Sequence, residues 1–322
     1  MPIARTAFQF FWRDCSIPEG FLTGVSLHSH TMYSEENLEM ISLRRTMASL
    51  RAVWTPPLSP QQAYSVEERQ IQRQFELPGL VSLTDHDDIR AGTLLHSLQA
   101  FRHAPISTEW TVPFGRAFFH LGIHNLPAAH ADDIMQQLRA FTAQPHLQKL
   151  DEILDGLDSH PDTLVVLNHP LWDEEKIGQA NHADALAELL NRYGRWFHAL
   201  EVNGFRPWRE NQDIITLGQQ WELPIISGGD RHGCEPNAIL NLSRARSIEE
   251  FIHEVRRERV SHVVFMPQYR ESLGWRIFQT VLDVIRGQPE TSKDWRDLPN
   301  RTFDPVRSWP FRLLAKLTPR AI

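Results

Sequence analysis

"TGVSLHSH", residues 23–30, is a short apolar run closed by two histidines one residue apart, His28 and His30. The same form recurs along the chain: "GLVSLTDHDD" (79–88), "APISTEW" (104–110), "RAFFHLGIH" (116–124), "DTLVVLNHP" (162–170), "FHALEVNG" (197–204), "LPIISGGDRHG" (223–233) and "VSHVVF" (260–265). Brief runs of β-branched and aromatic residues, bounded by Gly, Pro, Asn or Asp, predict buried strands. Between them, "DIMQQLRAFTAQ" (133–144), "ADALAELLNRYG" (183–194), "NQDIITLGQQWE" (211–222) and "SIEEFIHEVRRERV" (247–260) place apolar residues at i, i+3 and i+4, the period of an amphipathic helix. Ser247 and Glu250 have the spacing of a capping box. Strands alternating with helices predict a parallel α/β sheet, and seven or eight such strands favour a closed barrel.

Two segments fall outside the alternation. Residues 38–78 form a long connection with "WTPPLSPQQ" and a polar, helix-like "SVEERQIQRQF" (65–75). The tail, 270–322, holds ten Lys/Arg against six Asp/Glu, a net +4 beside −11 for the rest. It predicts one helix near 272–286 and then an irregular strap. The division that results is a catalytic barrel over 20–268, with 38–78 as a lid-like connection, and an extension over 269–322.

Bulk properties narrow the function. The net charge is 33 − 40 = −7 with histidine neutral, which argues against a long nucleic acid or an anionic membrane as partner. Two cysteines, Cys15 and Cys234, cannot build a disulfide framework or a four-thiolate zinc site, and fit a reducing cytoplasm. The amino-terminal residues show no signal-peptide pattern. No stretch approaches the roughly 20 apolar residues of a membrane span.

The strand ends carry the chemistry. They bear His28 and His30; Asp85 and His86; Glu109; His120; His169; Glu201; and Asp230 and His232. In barrels and open α/β sheets, functional groups gather at the carboxyl ends of strands. A strand places i and i+2 on one face, so each H-x-H or D-x-H pair can aim both side chains at one ion. Imidazole and carboxylate without thiolate suits zinc, manganese or iron. Each motif alone has a plainer reading: a surface histidine pair, a helix N-cap at "TDHD", a turn at His169-Pro170 like that at His160-Pro161. The recurrence of the same chemistry at strand after strand is what favours a shared metal site.

This order of motifs resembles the polymerase and histidinol phosphatase (PHP) domains. Their pattern is H-x-H-T with a following Ser-acid, T-D-H-D, a lone Glu, a strand histidine, a His-Pro and a final D-x-H. The chain reads "HSHTMYSEE", "TDHDD", "STEW", "FFHLG", "NHP" and "GGDRHG" in that order, across about residues 24–265. The resemblance implies a distorted (β/α)7 TIM-like barrel with two to three divalent ions (Zn, Mn or Fe) at the carboxyl ends of its strands. Carried over, His28, His30, Glu109 and Asp230 would surround one ion. Glu109 would bridge to a second, with His120 and His169. His86 and His232 would hold a third with Glu35, or with Glu36 beside it. His124 is the alternative to His120. Glu201 reads as an outer-shell or salt-bridge acid, and Asp85 or Asp87 as groups that orient ligand histidines.

A multinuclear site of this kind points to hydrolysis of phosphate esters, because a bound ion lowers the pKa of water from about 15.7 towards about 7 and neutralises phosphoryl oxygens. Glu109, Asp230 and His232 are the groups expected at the reacting atoms, with Asp230 placed for proton transfer. Arg206 and Arg209 are candidate substrate contacts. Arg231 is another, although strand alternation aims it away from its neighbours; Arg90 and Arg116 are weaker choices. The expected substrate is a small phosphomonoester, a nucleotide or a short oligonucleotide. The alternatives are a metal-dependent amidohydrolase, which often adds a lysine between its ions, and a non-catalytic metal-stabilised scaffold.

Overall fold

The computed structural model describes residues 3–37 and 53–286. Two five-stranded sheets carry the chain. The first runs β1 (Arg5–Phe10), β12 (Val260–Phe265), β11 (Ile239–Ser243), β2 (Thr23–Ser26) and β5 (Gly79–Val81). The second runs β10 (Ile225–Gly228), β9 (Ala199–Asn203), β8 (Leu164–Asn168), β7 (Ala117–His124) and β6 (Thr108–Phe114). A two-residue pair, β3 (Glu36–Asn37) with β4 (Val53–Trp54), stands apart. β2 and β5 are parallel, as are β8, β9 and β10, whereas β6, β7 and β8 alternate in direction and β11 opposes both neighbours. The antiparallel β6–β7 hairpin turns at Gly115, whose φ of +64° suits the first position of a two-residue turn.

The expected closed seven-stranded barrel is not found: among the described residues no sheet closes. The sheets instead touch at their strand ends through two isolated bridges, Ser29 to Arg231 and His86 to Glu109. Asp230 N donates to His28 O at 2.7 Å, His30 N to Arg231 O at 2.9 Å, and Glu109 N to Asp85 O at 3.1 Å. The ladders break there for a local reason. His28, Asp87 and Asp230 have φ of +61°, +49° and +53°, so the backbone leaves the extended conformation where pairing would continue.

Eight α-helices lie among the described residues. α1 (Pro60–Phe75) is the crossover between parallel β2 and β5. Ser59 and Gln62 form a full capping box at its start, with Pro60 at the first helical position. The helix begins five residues before the polar stretch that predicted it and buries Ala63, Tyr64, Ile71 and Phe75, so it is part of the core. After α2 (Arg90–Ser97), α3 (Ala131–Ala143) sets Met135, Leu138 and Phe141 on β6 around Trp110, whose indole donates to Leu138 O at 3.1 Å. Truncating Leu138 to alanine would cost about 2–5 kcal/mol. α4 (Leu147–Asp158), α5 (Gln179–Tyr193), α6 (Trp208–Gln220) and α7 (Ile248–His253) complete the layer. At α7, Ser247 accepts from Glu250 N, but the Glu250 carboxylate accepts from Arg246 N, so only half of the predicted capping box forms.

The predicted tail helix is present as α8 (Leu273–Arg286). Its buried residues are both charged: Arg276, bonded to Gly204 O, and Asp283, which accepts from Cys234 N at 2.9 Å. These bonds tie α8 to the loops after β9 and β10. The strap predicted after it lies outside the described residues.

Candidate metal centre

Eight of the nine side chains that the sequence nominates as ligands converge where the two sheets meet. His28 and His30 follow β2, His86 follows β5, Glu109 lies in β6, His120 in β7, His169 follows β8, and Asp230 and His232 follow β10. They form four overlapping triads: His28–His30–Asp230, His28–Glu109–His169, His86–Glu109–His120 and His30–His86–His232. Within each triad, one ligand atom per residue lies within 4.8 Å of the others. Glu109 is the hub. Its Oε2 is 3.0 Å from His28 Nε2, 3.3 Å from His30 Nε2 and 3.2 Å from His86 Nδ1. Its Oε1 is 3.1 Å from His169 Nε2 and 3.5 Å from His120 Nδ1. Asp230 Oδ1 lies 3.4 Å from His30 Nε2, 3.6 Å from His28 Nε2 and 3.5 Å from His232 Nδ1.

Several of these atoms face one another at ion-pair distance but outside hydrogen-bond geometry. His28 Nε2, His120 Nδ1 and Glu109 Oε2 are buried and make no hydrogen bond of normal geometry. Each such atom costs roughly 1–3 kcal/mol, more when charged, so their convergence calls for an occupant. A divalent cation fits the donor set of imidazoles and carboxylates.

Outer groups set the protonation. Glu201 Oε2 is 2.6 Å from His28 Nδ1, and Asn203 Nδ2 donates to Glu201 Oε1 at 2.7 Å. A carboxylate on the far nitrogen fixes the tautomer and ring orientation of a metal-binding histidine. Burial opposes the His28 imidazolium, but Glu109 and Glu201 outweigh it and hold its pKa well above the usual range. Burial, with the neighbouring His232, pushes His30 down to about 3. For Glu109, burial works upward, but His28 and the other histidines prevail and keep the carboxylate well below its usual range. Without an ion, both shifts favour a proton on His28 facing the Glu109 carboxylate.

The backbone is strained at the same points. His28, Asp87, His169 and Asp230 all have positive φ, at roughly 1–2 kcal/mol each for a residue with a Cβ. The first two glycines of "GGDRHG" make room rather than a turn. A Cβ at Gly228 would meet Glu201 Oε2 at 1.9 Å, and one at Gly229 would meet the Asn237 side chain at 1.7 Å.

Other expectations meet a different outcome. Glu35 is exposed and belongs to none of the triads; the side chain of Glu36 lies outside the described residues. His124 bonds Ser82 Oγ at 2.8 Å and joins no triad. β7 runs antiparallel to β8, so His120 pairs with Asn168 at the end of β8, beside His169, while His124 pairs with Leu164 at its start. Neither Asp85 nor Asp87 orients a histidine through a hydrogen bond. Asp85 accepts from Thr31 N and Oγ1 at 2.5 and 2.7 Å, and Asp87 from Thr111 N at 2.9 Å. That task falls to Glu201.

Among the arginines, Arg231 is not placed as a substrate contact: it is 2 % exposed and points to the reverse side, bonded to Glu67 Oε1 at 2.8 Å. Arg206 stands at the centre's rim, its guanidinium 3.6 Å from the ring centroid of Trp172, whose ring lies 5.2 Å from that of His169. Arg209 is exposed on α6, Arg116 is exposed at the β6–β7 turn, and Arg90 is paired with Asp88 at 2.7 Å. Sequence reasoning passed over Glu67 entirely. A glutamate at the apolar phase of α1, between Tyr64 and Ile71, is the signal that could have found it.

No protein-family model matches the chain, and no curated protein matches it. Solved structures with a loose likeness include a chain described as a metal-dependent phosphoesterase from Bifidobacterium adolescentis, with a TM-score of 0.42 and 12 % identity over 74 % of this chain and 96 % of that one. Another is an amidohydrolase from Chromobacterium violaceum, solved with bound sulfate and no metal, with a TM-score of 0.41 and 16 % identity over 78 % of this chain and 96 % of that one. The functional reading rests on the side chains themselves.

Proposed function

We propose that the chain is a metal-dependent phosphoesterase of the PHP type that hydrolyses small phosphomonoesters, nucleotides or short oligonucleotides. The observation that carries this reading is the set of four overlapping triads, two of them sharing Glu109, with buried ligand atoms that make no hydrogen bond. Two divalent ions would be held by His28, His30, Glu109 and Asp230, and by Glu109, His120 and His169. A third would lie between His86 and His232, with Glu35 or Glu36 as its acid. Joined at their strand ends, the two sheets would be an interrupted form of the seven-stranded barrel, made of β2, β5, β6, β7, β8, β9 and β10. Bound ions would supply an acidified water and neutralise charge on the phosphoryl oxygens.

The chain's own groups do the rest. Glu201 holds the His28 ring through Nδ1. Asp230 would offer an ion its Oδ1, which faces three imidazoles, and its other oxygen would be the one left to move a proton. Arg206, braced on Trp172, is the cation for a phosphate oxygen, and the brace limits the freedom it loses on binding. Replacing Arg206 with alanine should raise KM about tenfold or more while bound metal stays unchanged.

The amidohydrolase alternative often has a lysine bridging its ions. The two lysines among the described residues, Lys149 and Lys176, are exposed, which favours the phosphoesterase. No described helix is long and apolar enough to cross a membrane. A panel of nucleoside mono- and bisphosphates, short oligonucleotides and cyclic amides, run on metal-loaded protein, tests the assignment. Turnover of phosphate esters alone supports it; turnover of cyclic amides alone overturns it.

A further inference from the structure

On the reverse side of the metal-facing strand ends lies a second buried charged group, and every element of it touches the chain segments that carry the ligands. Glu67, on the inner face of α1, is fully buried. Its carboxylate accepts from Arg231 Nε at 2.8 Å, from Asn237 N at 3.1 Å and from Ser26 Oγ at 2.9 Å. Arg231 separates Asp230 from His232 in the sequence, and its Nη1 donates to Gly233 O at 2.7 Å. Its carbonyl accepts from His30 N at 2.9 Å. Asn237 Nδ2 lies 2.8–3.0 Å from Ser26 Oγ, Leu27 O and Ser29 Oγ, bracketing His28. The segments so held include two residues at positive φ, His28 and Asp230, a conformation that persists only where its surroundings enforce it.

We propose that Glu67 is a positioning residue for the metal centre: through Arg231 and Asn237 it holds the Asp230–His232 turn against the strand end that carries His28 and His30. This rests on the metal-centre reading above. α1 thereby does more than cross from β2 to β5. It sets the spacing between ligands contributed by two different sheets.

Cobalt(II) binding to the full chain, stripped of metal, tests this by affinity and by visible spectrum, with circular dichroism confirming the fold. Glu67→Gln should bind cobalt at least about tenfold more weakly, as for other outer partners of metal ligands, with altered visible bands. If the lone Arg231 charge prevents that variant from folding, the double variant Glu67→Gln/Arg231→Met removes both charges and should show the same losses. Asp158→Asn, which breaks the Arg256–Asp158 pair (2.7 Å), serves as a remote control and should keep the wild-type spectrum. A folded Glu67 variant with wild-type affinity and spectrum overturns the proposal. Failure of the wild-type chain itself to take up cobalt would instead remove the metal-centre reading, and the proposal with it.

Discussion

Two buried charged clusters lie back to back in this protein, and they are finished to different degrees. In the Glu67–Arg231–Asn237 cluster, both glutamate oxygens and the arginine Nε and Nη1 have hydrogen-bond partners at 2.7–3.2 Å. In the cluster around Glu109, ligand atoms face one another across similar distances yet make no hydrogen bond at His28 Nε2, His120 Nδ1 or Glu109 Oε2. The first is nearly complete as protein, with Asn237 Oδ1 its one buried atom lacking a hydrogen bond among the described residues. The second gathers imidazole and carboxylate atoms that could hold a divalent cation.

The contrast can be broken by mutation. Asp230→Ala or His28→Ala should lower bound metal and turnover by more than about a hundredfold, beyond the loss of an outer-shell partner. Metal-free His28→Ala should lower the melting temperature, because it leaves the Glu109 and Glu201 carboxylates without the imidazole between them; metal-free Asp230→Ala should stay nearer to wild type. Glu67→Gln, unlike Asp230→Ala, should lower stability. It strands a buried arginine and should cost about 3–5 kcal/mol, read by chemical denaturation of the metal-free chain. Equal destabilisation by Glu67→Gln and Asp230→Ala would erase the distinction.

Glu201→Gln is expected to come next, weakening metal binding about 10–100-fold, because the His28 ring loses its anionic brace. The same carboxylate predicts a pH dependence. Glu109 and Glu201 raise the His28 pKa well above the usual range, and an ion binds only the neutral ring. Metal uptake must therefore release a proton, and affinity should rise as pH rises towards that raised pKa. Calorimetry in buffers of different ionisation enthalpy measures the proton; uptake without release would contradict the assignment. The smallest effect is expected at Glu35: exposed and outside the triads, its alanine variant should leave the first two ions and their affinity unchanged.

Much of the centre was legible because ionisable residues close one apolar run after another. The H-x-H and D-x-H pairs lie just past β2 and β10, with His28 and Asp230 at positive φ, so strand alternation is not what brings their side chains together. Arg231, between Asp230 and His232, does face the other way, towards Glu67. What could not be read was strand direction. His120 and His124 are equivalent by spacing, and only the antiparallel run of β7 separates them. The number of strands favours a closed barrel, but the left-handed backbone at His28, Asp87 and Asp230, where the ladders break, leaves no mark in composition. β1 and β11 also escaped notice: "RTAFQF" (5–10) has no ionisable closing pair, and "ILNLS" (239–243) follows the "GGDRHG" turn too closely to look like a separate strand. Glu67 was visible in principle, as a carboxylate on the apolar phase of a helix, but it reads as an error in amphipathicity until its partner 164 residues away is known.

The most direct test is elemental analysis of the purified chain after reconstitution with zinc, manganese or iron, beside Asp230→Ala treated identically. At least two ions per wild-type chain, with a clear loss in the variant, is the predicted result. A folded wild-type chain that retains no stoichiometric divalent metal, or a variant that retains as much as wild type, would contradict it.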